Sequence, residues 1–443
     1  NFQALQLLRN RYMEQASCVY IDPPYNSPSS EIVYKNNYKH SSFLSLMDSR
    51  LEARILLGHQ GSHITAIDEN EENGLFALID YHFSGYDNVK IAVEHNKKGI
   101  QGDHFSYSSE FSIFSVSPNL KELNRVILAE DKWEFSNFRN WGGESLRTDA
   151  KNCFYAVQVK DEAIIGFSEV CEDSFHPKQA NIVRDDITEV YPIDNDGIER
   201  KWRYARDTVE AIINKLKVEK DRNGVLQIKI GKVDRQFKTM WYGTQYNAGD
   251  FGTKVLTRMG FPKGSFSFPK SVHLVEDCVH AVSDTRGLTI DYFAGSGTTG
   301  HAVINLNRED GGKRKYILVE MGEYFNTVTK PRIQKVIYSE DWKNGKPVSR
   351  KGSSHCFKYL RLESYEDTLN NLQLQRSEQQ AQLLGNAHFE EEYRLHYMLE
   401  VESRESLLSV DTFKSPFGYT IKSIAHNEIK EVEVDLVETF NYL

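Results

Sequence analysis

Residues Leu288–Leu306 read "LTIDYFAGSGTTGHAVINL", and this stretch decides the fold. A short apolar run suited to a strand stops at Asp291, and a glycine-rich turn follows. Apolar residues then recur at helical spacing. Gly295, Gly297 and Gly300 satisfy GxGxxG, and the next strand candidate, "KYILVE", ends on Glu320, 20 residues after Gly300. Strand, tight turn, helix and strand make one βαβ unit, so the sheet is predicted to be parallel where these strands lie.

Such a turn lets backbone approach a ligand closely, and a carboxylate at the end of the next strand can accept hydrogen bonds from both hydroxyls of a ribose. A phosphate-cradling P-loop is excluded, because His301 and Ala302 stand where Lys and Ser/Thr are required. The glycines alone leave a nicotinamide dinucleotide open. Asp291 weighs against it: an anion at the strand tip repels a pyrophosphate but suits a cationic α-amino group. S-adenosylmethionine carries adenosine, a sulfonium and such an ammonium, and Phe293 offers an aromatic face beside a cation.

A second strand tip carries other chemistry. "CVYIDPPYNSPSS" (Cys18–Ser30) ends an apolar run in Asp22, Pro23, Pro24 and Tyr25. An exocyclic amine such as adenine N6 is a poor nucleophile, because its lone pair is delocalised into the ring. The Asp22 carboxylate and the Pro23 carbonyl can each accept one of its N–H bonds and aim the freed lone pair at a methyl group. The prolines fix φ and have no N–H of their own, and Tyr25 offers a ring for stacking. A base inside a duplex reaches such a pocket only after flipping out, at a cost of roughly a few kcal/mol.

The rest of the chain fits around these two tips. Strand signals at Ser62–Asp68, "KIAVE" and Phe111–Val116 surround a helical pattern at Asn73–Phe83, which predicts an α/β fold: a Rossmann-like sheet covered by helices. Hairpin and two-faced strand patterns at Phe154–Phe167 and Val225–Val233 predict an inserted β-rich domain. The expected division is a catalytic domain over 1–117 and 261–340, an insert over 118–260, and a helical region over 341–443 that includes "SEQQAQLLGN" and "EEYRLHYMLEVES". The opening Asn1 and the closing "VDLVETFNYL", which reads as a helix cut off mid-pattern, point to a fragment.

With 443 residues, 40% of them hydrophobic, the chain can bury a large core. A net charge of −9 excludes a uniformly basic coat but not local basic patches. The five scattered cysteines form no CxxC pair and the 14 histidines no metal spacing, so no metal is expected and a reducing cytoplasm fits. There is no apolar run long enough to predict a membrane span.

"DPPY" followed far downstream by "FAGSGTTG" resembles the DNA amino-methyltransferases in which the catalytic motif precedes the cofactor motif. "YIDPPYN", "YKHSSFLSLMDSRL", "SHITAIDENE", "RKWRYARD", "FSFPKSVHLVED", "IDYFAGSGTTGHAV", "FKYLRLESYEDTLNNL" and "VDLVETFNYL" together resemble the modification subunits of Type III restriction-modification systems. The resemblance implies a seven-stranded class I methyltransferase sheet, an inserted target-recognition domain and N6 of adenine as the acceptor. It also implies a homodimer that joins a restriction subunit. Asp22, Pro23, Pro24 and Tyr25 would form the amine site, Asp291, Phe293, Gly295 and Gly297 would hold the methionine part of the cofactor, and Glu320 its ribose. Lys270, in "FPKSV", falls in the motif that flanks the cofactor, although Ser271 replaces the usual proline.

Phe105, Tyr107 and Phe111 lie where that family places an aromatic against the flipped base. Phe111 is the preferred candidate, and a core aromatic is the competing reading. His40 would support the amine site from behind. In the insert, Arg200, Lys201, Arg203 and Arg206 alternate with Trp202 and Tyr204, a pattern suited to DNA phosphates or to a solvated helix face. Cytosine-N4 methylation uses the same geometry, with serine usual in place of Asp22. A nicotinamide dehydrogenase would leave Asp22–Tyr25 unexplained, and a DNA-binding specificity fragment without turnover is the non-enzyme alternative.

Overall fold

A computed structural model of the chain describes residues 1–26, 39–363, 367, 418–425 and 428–437. They fall into two compact units, Asn1–Asn124 with Lys238–Leu443, and Arg125–Phe237.

The first unit is built on a seven-stranded sheet. Its strands are β1 (Ala16–Ile21), β2 (Leu57–Ile67), β3 (Asp87–Glu94), β4 (Ser109–Val116), β5 (Met240–Trp241), β6 (Leu288–Asp291) and β7 (Lys315–Leu318), in the order β5-β3-β4-β2-β1-β6-β7. β1 pairs in parallel with both β2 and β6, while β4 runs antiparallel to β2 and β3. From β1 the chain winds outward through β2, and from β6 it winds outward on the other side through β7. The reversal of winding therefore falls between β1 and β6, where open α/β sheets bind ligands beyond the strand ends.

β1 is almost wholly buried, as expected of a parallel strand covered on both faces. Val19 and Ile21 face one layer, where Leu5 and Leu8 of α1 (Phe2–Tyr12), Phe43 and Met47 of α2 (His40–Leu51), and Leu75 and Ile79 of α3 (Glu72–His82) join Ile290 in one core. The opposite face carries α4 (Val272–Val282), whose buried Cys278 reaches Ser112 of β4. α5 (Thr298–Asp310) starts at Gly297, which has φ +82°. At Gly300 a Cβ would stand 2.6 Å from Ile333 and 2.9 Å from Leu318, so a larger residue would force the ends of these side chains to shift where α5 packs on β7 and on α6 (Lys330–Tyr338).

The insert is narrower than expected. Residues 238–260 return to the first unit, where Met240 and Trp241 add an edge strand beside Ala92 and Val93. Within 125–237, Val157–Lys160 and Ala163–Phe167 form the expected hairpin, with Asp161 and Glu162 both at positive φ, as a two-residue turn requires. Leu226–Lys232 pairs with Leu216–Lys220 and Glu134–Asn137. Their core holds Phe138, Tyr155, Val157, Trp202 and Ile228.

The expected helical region beyond 340 lies largely outside the described residues. What is described there is mostly extended and includes two hairpins, Trp342–Lys343 with Lys346–Pro347 and Thr420–Ala425 with Glu428–Glu433. "SEQQAQLLGN", "EEYRLHYMLEVES" and the last residues of "VDLVETFNYL" lie outside the described residues. Among the described residues no helix is long and apolar enough to cross a membrane.

Trp202 stacks on Phe138 at 5.1 Å between ring centroids, and its indole N–H donates to the Tyr155 carbonyl at 2.8 Å. Trp202→Ala should destabilise the insert by about 3–5 kcal/mol, read as a lower midpoint of its transition in denaturant melts. Tyr204→Ala, at a position 38% exposed, should stay within about 1 kcal/mol.

Candidate functional site

Asp22 leaves β1 directly after Ile21, and Asp291 is the last residue of β6. Val19 is in register with Ile290, so the two motifs, distant in sequence, occupy neighbouring strand tips. Burial raises the pKa of both carboxyls, and the Asp22 charge adds to the rise at Asp291. Asp22 is pushed up to about 6, burial being the largest cause, with Lys270 opposing and Glu110 adding to the rise. Asp291 is pushed up to about 7, again chiefly by burial, with the Thr299 hydrogen bond opposing.

The cofactor side is built from backbone. The Asp291 carboxylate accepts the Phe293 N–H at 3.0 Å and the Thr299 hydroxyl. Glu320 accepts the N–H of Gly295 and that of Gly322, each at 2.7 Å. A carboxylate at this position, beside the glycine turn, is of the type that can accept hydrogen bonds from ribose hydroxyls. Beneath the glycine turn the buried Arg332 donates to Ser296 and Thr298, and Thr329 donates to the Gly295 carbonyl at 2.6 Å. The turn is thus held from below, and its upper side meets Phe266, which packs edge-on against Tyr324. Phe293 belongs to the main core, 8% exposed, so its ring is chiefly a packing element.

The amine side departs from the sequence reading. Lys270 does not reach the glycine turn in any contact described; it is buried against Asp22–Tyr25. Its ammonium donates to Glu110 and to the Tyr25 hydroxyl, lies 3.4 Å from Asp22 Oδ1, and sits 4.4 Å from the centre of the Tyr25 ring. The Tyr25 hydroxyl donates to Glu110 at 3.1 Å. Burial alone would lower the Lys270 pKa, but Asp22 and Glu110 outweigh it and raise it. Burial alone would raise that of Glu110, and Lys270, with His95, reverses this. Both stay charged.

Beyond Tyr25, Asn26 turns at φ +56° and donates to Glu71 at 2.7 Å. His40 Nδ1 shares the same oxygen at 2.9 Å, so it is linked to the residue after Tyr25 through Glu71. Glu110 and Glu71 were not legible as site residues. Glu110 is a single acid beside an apolar run and Glu71 lies in the acidic stretch Asp68–Glu72, and only the fold shows that they are buried against the "DPPY" segment and the Asn26 that follows it. An acid whose strand neighbours are all apolar or hydroxyl-bearing was the available signal at Glu110.

The aromatic and basic candidates are redistributed. Phe111 pairs with Ile67 and Ala92 in the sheet and packs against the main core, so the competing core reading describes its position. Phe105, 77% exposed, and Tyr107, 45% exposed, lie on the neighbouring loop and hairpin. In the insert, Arg200 is held by Asp194 and Ser145, each at 2.8 Å. Arg206 donates to the Ser168 carbonyl at 2.6 Å and to Glu210 at 2.9 Å. These two arginines are engaged within the insert. Arg203 is exposed, bonded to Ser136 at 3.1 Å, and Lys201 is half-buried.

A protein family described as DNA methylase matches residues 16–331. The chain is 29% identical over 349 residues to Type II methyltransferase M.KpnI of Klebsiella pneumoniae, covering 72% of this chain and 78% of that one. It is 25% identical over 404 residues to the Type III restriction-modification enzyme EcoPI Mod subunit of Escherichia phage P1, covering 76% and 61%. With the EcoP15I Mod subunit of Escherichia coli it shares 23% over 378 residues, covering 73% and 58%. The chain therefore spans only about three-fifths of the length of these two Type III relatives.

The raised pKa of Asp291 has a consequence for stability. A carboxyl whose pKa rises on folding, here from 3.8 to about 7, stabilises the fold while protonated, and that contribution is lost as pH rises through the folded value. Asp291→Asn keeps a neutral group at every pH. Without cofactor, its stability relative to the natural protein should climb between about pH 4 and 7 and level off above, reaching at most about 4 kcal/mol. Melting temperatures across pH 4–8 check this, and a difference that shrinks with rising pH would refute it.

Proposed function

Because the chain belongs to the DNA methylase family, we propose that it transfers a methyl group from S-adenosylmethionine to N6 of an adenine flipped out of duplex DNA, as the modification subunit of a Type III restriction-modification system. The observation that carries this reading is the pairing of Asp22 and Asp291 on adjacent strand tips at the point where the sheet reverses its winding. One tip suits an amine that must be activated, and the other suits a cationic amino acid joined to a nucleoside.

The cofactor supplies an electrophilic methyl carbon on a sulfonium. The Asp291 carboxylate would hold its ammonium, which would favour the charged form of a carboxyl otherwise raised to about 7. Glu320, oriented by the backbone N–H groups of Gly295 and Gly322, would hold the ribose hydroxyls. On the other tip, Asp22 and the Pro23 carbonyl accept the two N–H bonds of the adenine amine. Its lone pair leaves conjugation with the ring and points across the gap between the tips. Tyr25 is the platform for the base, and Phe105 or Tyr107, both exposed, takes over from Phe111 as the candidate for the opposite face.

The acceptor base follows from aspartate in "DPPY". The Type III assignment follows from the run of motifs shared with such subunits and the similarity to two of them. A homodimer and a restriction subunit as partner belong to this proposal. The insert, residues 125–237, is the target-recognition domain, with Lys201 and Arg203 as phosphate contacts. A stand-alone modification enzyme is the second reading, favoured by the match to 78% of M.KpnI.

The test is transfer of labelled methyl from S-adenosylmethionine to unmethylated genomic DNA with the product nucleosides resolved. N6-methyladenine should appear and fall at least about 100-fold in Asp22→Ala. Label in N4-methylcytosine would overturn the acceptor base, and bound cofactor without label in DNA would overturn the enzyme in favour of a DNA-binding fragment.

A further inference from the structure

Lys270 and Glu110 form a buried ion pair, 8% and 4% exposed, that the chemistry above does not require. Stability is a poor reason for such a pair, since desolvating two charges costs about as much as their attraction returns. What distinguishes this one is where the remaining hydrogen bonds go. An ammonium has three donors, and Lys270 has three acceptors around it: Glu110, the Tyr25 hydroxyl and Asp22. The Tyr25 hydroxyl in turn accepts from Lys270 and donates to Glu110. That fixes the phenol at its far end, so the ring is held in one plane. The backbone carrying Lys270 is seated as tightly: a Cβ on Gly252 would stand 2.1 Å from the Pro269 carbonyl, and the Ser271 hydroxyl donates to the Gln245 carbonyl at 2.6 Å.

We propose that Lys270 and Glu110 are a positioning pair for the acceptor base: Lys270 holds the Asp22 carboxylate, and both together hold the Tyr25 ring, in place for the incoming amine. The inference rests on the methyltransferase reading and moves Lys270 from the cofactor to the substrate side. Neither residue touches the reacting atoms. They act through Asp22 and Tyr25, and they act on Asp22 in opposite electrical senses. The positive charge of Lys270 favours the Asp22 anion, and the negative charge of Glu110 disfavours it. The other ionisable groups around the pair are Tyr20, Tyr25 and Asp291 toward Asp22, His95, Tyr20 and the buried Cys278 toward Glu110, and Asp68 toward Lys270. Tyr20 and Tyr25 are raised well above 10 and stay neutral. Asp68 and Asp291 titrate near Asp22 but are common to all variants.

The experiment measures single-turnover methyl transfer to DNA from pH 5 to 9 for the natural protein, Lys270→Met, Glu110→Gln and the double variant, with S-adenosylmethionine affinity alongside. The acid limb of the natural protein should lie near pH 6. It should move up by about one pH unit or more in Lys270→Met and down in Glu110→Gln, the scale expected for one nearby charge. The double variant removes both charges, so it keeps its fold. It should bind cofactor within about twofold of the natural protein and yet transfer methyl at least about tenfold more slowly, because Asp22 and Tyr25 have lost their anchors. A purely structural pair would let the double variant recover full transfer, and that result overturns the proposal. So would limbs that stay put or move together, or a loss of cofactor binding in the folded double variant. If the natural protein transfers no methyl at all, the methyltransferase reading fails by itself. The opposite displacements of Asp22 would then be read from its carboxyl carbon by NMR titration, assigned with Asp22→Asn, and their absence would overturn the pair.

Discussion

The parallel pairing of β1 with β6 is the contact on which the site depends. Ser17 and Leu288, 271 positions apart, are joined across it by a hydrogen bond at 3.2 Å. A loop of that length is costly to close, and the buried apolar surface of both strands, with helices on each face, offsets the cost. Once it is closed, two short polar motifs that share no local sequence stand side by side. The winding reverses at the same place, so among the described residues the connections that leave the two tips run to opposite sides of the gap above them.

Charge at these tips is managed by enclosure rather than by solvent. Asp22 and Asp291 are each raised by burial, and each would be neutral over part of the physiological range were it not for a cationic neighbour. For Asp22 that neighbour is part of the chain, Lys270. For Asp291 the proposed neighbour arrives with the cofactor. A site arranged this way has one acceptor whose charge is supported by the chain itself and one whose charge is completed by its ligand. This separates a fixed substrate end from a responsive cofactor end.

Much of this was legible in the sequence because it depends on local chemistry. The strand, glycine turn, helix and acid between Leu288 and Glu320 are encoded within one short segment, as is the turn at Asp161 and Glu162. What escaped were facts created by long-range packing. Lys270 lies next to the cofactor motif in sequence, yet its side chain is directed to the other tip by Glu110, which β4 delivers from 160 positions away. Phe111 carries the aromatic type that stacking needs, but its place in the sheet turns it against the core. Arg200 and Arg206 form part of a run that looks basic and solvated, while Asp194 and Glu210 engage them inside the insert. The insert ends at Phe237 because Met240 and Trp241 find an edge beside β3, a pairing no local pattern announces.

The central claim is that the two tips form one site, cofactor on Asp291 and Glu320, base on Asp22 and Tyr25. A crystal structure of the protein with a non-reactive amino analogue of S-adenosylmethionine and a DNA duplex carrying the target adenine tests it most directly. The account predicts the adenine outside the helix, its N6 within hydrogen-bonding distance of Asp22 and the Pro23 carbonyl and in line with the analogue's transferable position. An adenine still stacked in the duplex beside a fully bound analogue, or an analogue seated away from Asp291 and Glu320, would contradict it.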